Sequence, residues 1–302
     1  MHADSFSEQS IHDFWNAHPC GEQFAGGLHS DYAQFFERYD AWRYKQEGHI
    51  LKRLDAIDFS GKKVLEIGLG QGADAEQLIK RGALWSGLDL TPESVGRVSC
   101  RFDLHHLPYQ SIKVGSVLHI PHDDCSFDMA YSHGVLHHVP EIRQAQEEIA
   151  RVLKPGGQLI AMLYAKRSIN YMLSIAIVRR LALATAYFSP IKPNNALLRG
   201  HLANVQKTGI WNYLRMENFV HRNTDGPQNP YAKVYDLESV RADFPDFEIV
   251  RSYQDYMHAP PLPVSWMKPM AGVLGWHLWV HLRKRESAPG QRSLEQLQAV
   301  HS

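Results

Sequence analysis

The chain lacks the features that would commit it to several broad classes. Three cysteines, Cys20, Cys100 and Cys125, stand far apart in 302 residues, which excludes a disulfide framework and any Cys-x-x-Cys metal site. Neither sign of charge is in excess: 32 basic residues balance 32 acidic ones, so no global field draws nucleic acid. The first residues, Met-His-Ala-Asp-Ser-Phe-Ser-Glu, carry neither a basic region nor a long apolar run, and no signal peptide is expected. The longest apolar stretch, residues 172–188, is split by Arg179-Arg180, a poor composition for a bilayer span. No internal repeat or low-complexity tract is present. A reducing cytoplasm fits these absences.

What is present points to a soluble globular protein. With 44% hydrophobic and 11% aromatic residues the chain can bury one large core or two modest ones. Its organising stretch is Val64-Leu-Glu-Ile-Gly-Leu-Gly-Gln-Gly-Ala-Asp74. Val64, Leu65 and Ile67 predict a central strand. Gly68, Gly70 and Gly72 predict a tight turn with no Cβ between backbone and ligand, and the residues from Asp74 predict a helix whose first amides face the same pocket. That is a nucleotide-type cofactor cradle. Gly68, Gly70 and Ala73 also fit the dinucleotide fingerprint, so the turn alone leaves the cofactor open.

The flanking residues favour S-adenosylmethionine. Glu66 before the three glycines resembles the first motif of class I S-adenosylmethionine-dependent methyltransferases, whose glycine backbone contacts the methionine part of the cofactor. Ser86-Gly-Leu-Asp-Leu90 resembles the second strand, and the resemblance implies that Asp89 holds the ribose hydroxyls. Phe127 to His138 is similar to the fourth strand and its following loop, and Val152-Leu-Lys-Pro-Gly-Gly-Gln-Leu-Ile160 to the turn into the fifth. Ser116 and Ser132 join the implied cofactor set. Position 116 departs from the pattern, since many relatives carry an Asp there for the adenine amino group. The resemblance implies a Rossmann-like, doubly wound, seven-stranded, mostly parallel sheet with an antiparallel last strand.

Around that core the chain divides into further segments. Residues 1–60 are expected to form a helical N-terminal lid with Trp15 and Tyr44 near the cofactor. Residues 61–165 and 236–286 form the expected core, closed by strands near 247 and 276, and 287–302 a loose tail. Residues 166–235 interrupt the pattern where this family often builds a substrate cap. Between 166 and 222, nine basic residues (Lys166, Arg167, Arg179, Arg180, Lys192, Arg199, Lys207, Arg215, Arg222) face one acid, Glu217. Arg179 and Arg180 are therefore candidate contacts for an anionic or lipophilic small-molecule acceptor, and contact with an anionic membrane surface is a further expectation.

Methyl transfer needs alignment and exclusion of water more than a fixed catalytic motif. A base is required only where the acceptor must shed a proton. His133, just after the fourth strand, is the candidate base or orienter, and His137 a weaker one. Eighteen histidines invite a metal reading, but neither His119-Ile-Pro-His122 nor His137-His138 has partners at metal-ligand spacing, so no metal is expected. Competing readings are an RNA or protein methyltransferase, a non-catalytic cofactor-binding protein and a nicotinamide dehydrogenase.

Overall fold

The structure is a computed structural model that describes residues 6–21, 31–191 and 193–286. The expected tail at 287–302 lies outside the described residues, as do residues 1–5 and 22–30 of the expected lid.

Seven strands form one sheet: β1 (Lys63–Ile67), β2 (Leu84–Asp89), β3 (Ser111–Val114), β4 (Phe127–His133), β5 (Leu153–Tyr164), β6 (Phe247–Asp255) and β7 (His277–Lys284). Their spatial order is β3-β2-β1-β4-β5-β7-β6, the first five parallel and β7 antiparallel between β5 and β6. The apolar runs of the central strands follow from burial on both faces. Leu65 and Ile67 pack with Leu136 and Ile149 on one face, while Val64 packs with Trp85 and Tyr131 on the other.

Helices α1 (Glu8–Ala17), α2 (Tyr32–Gln46) and α3 (His49–Leu54) precede the sheet, and α4 (Ala73–Lys80), α5 (Pro92–His105) and α6 (Ile142–Val152) connect its strands. Local chemistry sets their ends. Thr91 accepts the Ser94 amide at the start of α5, and Pro92 occupies the first helical turn, where its missing N–H costs nothing. Gly72 stands before α4 in the left-handed region, at φ 76°.

Between β5 and β6 the chain turns helical. A π-wound stretch, Asn170–Arg179, runs directly into Arg180–Phe188, followed by Ala196–Thr208 and shorter turns. These pack a small core of their own around Ile175, Leu183, Val205, Tyr213 and Phe219. The run from Asn170 to Phe188 is long and apolar enough to reach across a bilayer by length and composition, yet only 17% of its most apolar window is buried.

Candidate active site

In an open parallel sheet ligands bind outside the carboxyl ends of the strands. Read along that edge, the strand order brings together Ser116 after β3, Asp89 at β2, Gly68 at β1, His133 at β4 and Tyr164 at β5. His277 opens β7 opposite Tyr164 in register, because the antiparallel strand begins at the edge where its neighbours end. One cavity is lined by all six of these residues.

Glycine geometry shapes the first part of the wall. Gly68 (φ 80°) closes so tightly that an added Cβ would strike the Val135 side chain, whereas a Cβ on Gly70 (φ 51°) would meet nothing within 4 Å. Since Gly70 lines the cavity, its bare backbone faces ligand space. The Asp89 carboxylate fixes this loop to β2, accepting the Leu69 amide at 2.7 Å and the Thr91 amide and hydroxyl at 2.8 Å. Burial raises the Asp89 pKa, opposed by these donors. Glu66 is buried beneath, accepting the Trp85 indole N–H at 2.7 Å, and burial pushes its pKa well above the carboxylate range. Ser116 takes the Leu118 amide at 2.9 Å and donates to Glu8 of α1. Trp15, two turns along the same face of α1, lines the same cavity and meets His138 edge-on.

The second part is a network around Asp74. Arg43 of α2 grips its carboxylate with two 2.9 Å bonds, the Tyr131 hydroxyl donates at 3.0 Å, and His133 Nδ1 lies 3.0 Å away. Burial resists ionisation here, but Arg43 and His133 prevail and hold the Asp74 pKa well below its usual range. A carboxylate can only accept, so Nδ1 of a neutral His133 carries the proton and Nε2 is left with its lone pair. His277 stands beside it, ring centroids 5.8 Å apart, with its Nδ1 3.2 Å from His49 Nε2. Burial drives the His277 pKa well below that of a free imidazole. Tyr164 donates to Asp225 at 2.9 Å, and Asp225 also approaches His138 at 3.4 Å.

Several residues chosen from sequence sit elsewhere. Ser132 is fully buried and donates to the Ile67 carbonyl at 3.0 Å; strand alternation turns it away from the cavity that its neighbour His133 lines. His137 is fully buried behind the wall with its ring 3.7 Å from that of Tyr164. Gly72 serves the entry to α4, where a Cβ would press on Val98 and Arg101. Tyr44 donates to the Ala73 carbonyl at 3.1 Å and braces the loop from behind. Arg179 is a staple rather than an acceptor contact. Its guanidinium donates to the carbonyls of Asn223 at 2.6 Å and Pro260 at 2.7 Å, and burial lowers its pKa to about 10. Arg180 donates to Ala176 within its own helix at 3.2 Å and does not line the cavity. Conversely, Asp74, Arg43, Glu47, Asp225 and His277 line the cavity without having been singled out. Asp74 alone had a signal, its position at the start of the helix after the glycine turn.

Residues 65–161, which carry the glycine turn, β2 and β4, match the methyltransferase domain family. That stretch is a class I S-adenosylmethionine-dependent methyltransferase domain. Over 103 residues the chain is 35% identical to the phthiotriol/phenolphthiotriol dimycocerosates methyltransferase of Mycobacterium tuberculosis, so the match spans 33% of this chain and little more than a third, 37%, of that relative. Among solved structures it resembles a chain of the "Complex between the Haloferax volcanii Trm112 methyltransferase activator and the putative methyltransferase", with TM-score 0.53 and 16% identity over 92% of this chain and 98% of the other. An S-adenosylmethionine-dependent methyltransferase from Mesorhizobium loti gives TM-score 0.50 and 14% identity over 79% and 98% of the two chains. At such identities the structural likeness concerns the fold alone.

Proposed function

We propose that this methyltransferase moves the methyl group of S-adenosylmethionine to an oxygen, nitrogen or sulfur atom of a lipophilic small molecule, mainly by alignment and exclusion of water. The carrying observation is the charge of the cavity. Its lining includes seven carboxyl groups (Glu8, Glu47, Glu66, Asp74, Asp89, Glu141, Asp225), of which only the deeply buried Glu66 strongly resists ionisation, against one guanidinium, Arg43. Such a wall suits a cofactor with a sulfonium and an ammonium and repels the pyrophosphate of a nicotinamide dinucleotide. It equally disfavours an anionic acceptor or a nucleic-acid backbone.

The residues present fit the cofactor. Gly70 offers a cradle that any Cβ would fill. Asp89 places a carboxylate for the ribose hydroxyls, and the Glu66 carboxyl, held by the Trp85 indole, orients the turn from beneath. Glu8, held to Ser116, brings from α1 the acid that position 116 itself lacks. When bound, the cofactor supplies a methyl group on a positive sulfur, open to in-line displacement. The chain's part is to hold the acceptor in line, a contribution of roughly 7–11 kcal/mol in well-oriented systems. His133, fixed by Asp74, stands where the accepting atom would lie. We assign residues 1–60 to a lid and 166–235 to a substrate cap over the core formed by 61–165 and 236–286.

A lipophilic acceptor is supported by the mycobacterial relative's named substrate, a triol derivative, and by the surface of the proposed cap. Leu181, Phe188 and Trp211 are 63%, 66% and 76% exposed there. Trp266, after β6, is exposed as well. A lipid surface in the cytoplasm is the setting these side chains suit.

Calorimetry with S-adenosylmethionine and with a nicotinamide dinucleotide tests the cofactor; binding of the dinucleotide alone would overturn the reading. Labelled methyl transfer to a lipid extract, followed by mass spectrometry, tests the acceptor. Label found only in RNA or protein would replace the small-molecule reading. Absence of any transfer in the cofactor-bound protein would leave a non-catalytic binder. Sedimentation with liposomes at two salt concentrations tests the surface.

A further inference from the structure

The geometry points to a divalent-metal site of zinc type, built by Glu47, His133 and His277 at the acceptor end of the cavity. One donor atom from each lies within 4.8 Å of the others, and these are the described residues that meet as a candidate ligand group. Three protein ligands of His-His-Glu type form a known donor set for zinc, which binds imidazole nitrogen and carboxylate oxygen at about 2.0–2.2 Å.

The surroundings argue for a site rather than a coincidence of polar groups. His133 Nδ1 is engaged by Asp74 at 3.0 Å, and His277 Nδ1 faces His49 Nε2 at 3.2 Å. Each ring is thereby oriented through one nitrogen, which leaves Nε2 for a ligand. A metal-bound histidine is held in this way, its outer nitrogen donating to a carboxylate or another acceptor. Glu47 Oε2 has no hydrogen-bond partner among the described residues and stands 4.0 Å from Arg43, whose two close bonds go to Asp74 instead. A buried carboxylate oxygen with no hydrogen bond and one long ion pair is under-satisfied, and a cation bound beside it would complete it. All three ligands line the cavity, so a fourth coordination position opens onto acceptor space, as in catalytic rather than structural zinc sites. His133 would then act on the accepting atom through the metal, its Nε2 lone pair being spent on the ion.

The site stands independently of the methyl-transfer reading, because its titration needs neither cofactor nor acceptor. Chelator-stripped full-length protein is titrated calorimetrically with zinc chloride, and its cobalt derivative is followed by visible absorption. One equivalent should bind with a dissociation constant of about 1 μM or below, and Glu47→Gln and His277→Ala should each weaken it at least about tenfold, the lower end of what even outer-shell changes cost. Cys20→Ser should leave it unchanged. Glu47→Gln keeps the side-chain volume, so the test survives should His277→Ala not fold. Failure to bind zinc below about 100 μM, or tight binding undiminished in both variants, would overturn the site. In that last case the surface histidines would be the ligands. Cofactor titration of the stripped protein reports separately on methyl transfer.

Discussion

The two halves of the carboxyl edge are built in different ways. From β3 to β1 the wall consists of Ser116, Asp89 and the glycine turn, each at a strand end inside a short contiguous motif, and held mostly by backbone amides such as Leu69 N–H on Asp89. From β4 to β7 the wall consists of His133, Tyr164 and His277, joined by Glu47 and Asp225 from distant segments and held by side chains. The first half is a property of local sequence and suits a constant ligand. The second is a property of the assembled fold, and its composition can change with the acceptor while the sheet stays the same.

The sharpest way to break the first half is Gly70→Val. Gly70 lies at φ 51°, which costs a branched residue on the order of 1–2 kcal/mol in backbone strain, and the new side chain would occupy ligand space. S-adenosylmethionine binding should fall by more than about 100-fold, close to 3 kcal/mol, with far-ultraviolet circular dichroism unchanged; retained affinity would place the cofactor elsewhere. Asp89→Ala comes next. Loss of hydrogen bonds to a charged acceptor at roughly 1.5–3 kcal/mol each predicts about a 10- to 100-fold weaker cofactor, measured by the same calorimetry.

Arg179→Gln probes the helical segment beyond the second half. The carbonyl of buried Asn223 would lose this donor, at about 1–3 kcal/mol, while the exposed Pro260 carbonyl keeps the Ser174 hydroxyl. We expect a melting temperature lower by several degrees and unchanged cofactor affinity. An altered Michaelis constant at unchanged stability would restore Arg179 as an acceptor contact.

The smallest effect expected is a split response to acid. Free imidazoles protonate near 6.5, whereas burial holds His281 in β7 and His201 in the helical segment down to about 4. The unfolded chain therefore binds more protons between those values, and the stability these groups give is present above pH 6.5 and lost progressively toward pH 4. Glu66, whose pKa burial raises, works in the opposite sense beneath the glycine turn. Hydrogen exchange at pH 5.5 against 7.5 should show protection lost in β7 and the helical segment before β1 and β2. Uniform loss would merge the two halves into one cooperative unit.

The same division explains what could be read in advance. Glu66, Gly68, Gly70 and Asp89 were legible because strand, turn and helix follow one another within 30 residues, whereas the antiparallel last strand was implied by the family resemblance. Glu47 and His277 lie 230 positions apart, and nothing in either neighbourhood marks them. Ser132 came with the implied cofactor set, but adjacent strand residues face opposite ways and it points away from the cavity that His133 lines. Arg179 was counted as surface charge because composition cannot show a guanidinium turned inward onto carbonyl oxygens.

The reversal of β7 bears on how this protein is made. His277 reaches the edge because the last strand slots between β5 and β6, the former finished more than a hundred residues earlier in synthesis. The glycine turn and Asp89 are therefore present in the chain long before the strand that completes the other side of the edge. The wall that meets the acceptor comes into being only when the final strand enters, so an incompletely synthesised chain could capture cofactor yet would have no complete place to use it.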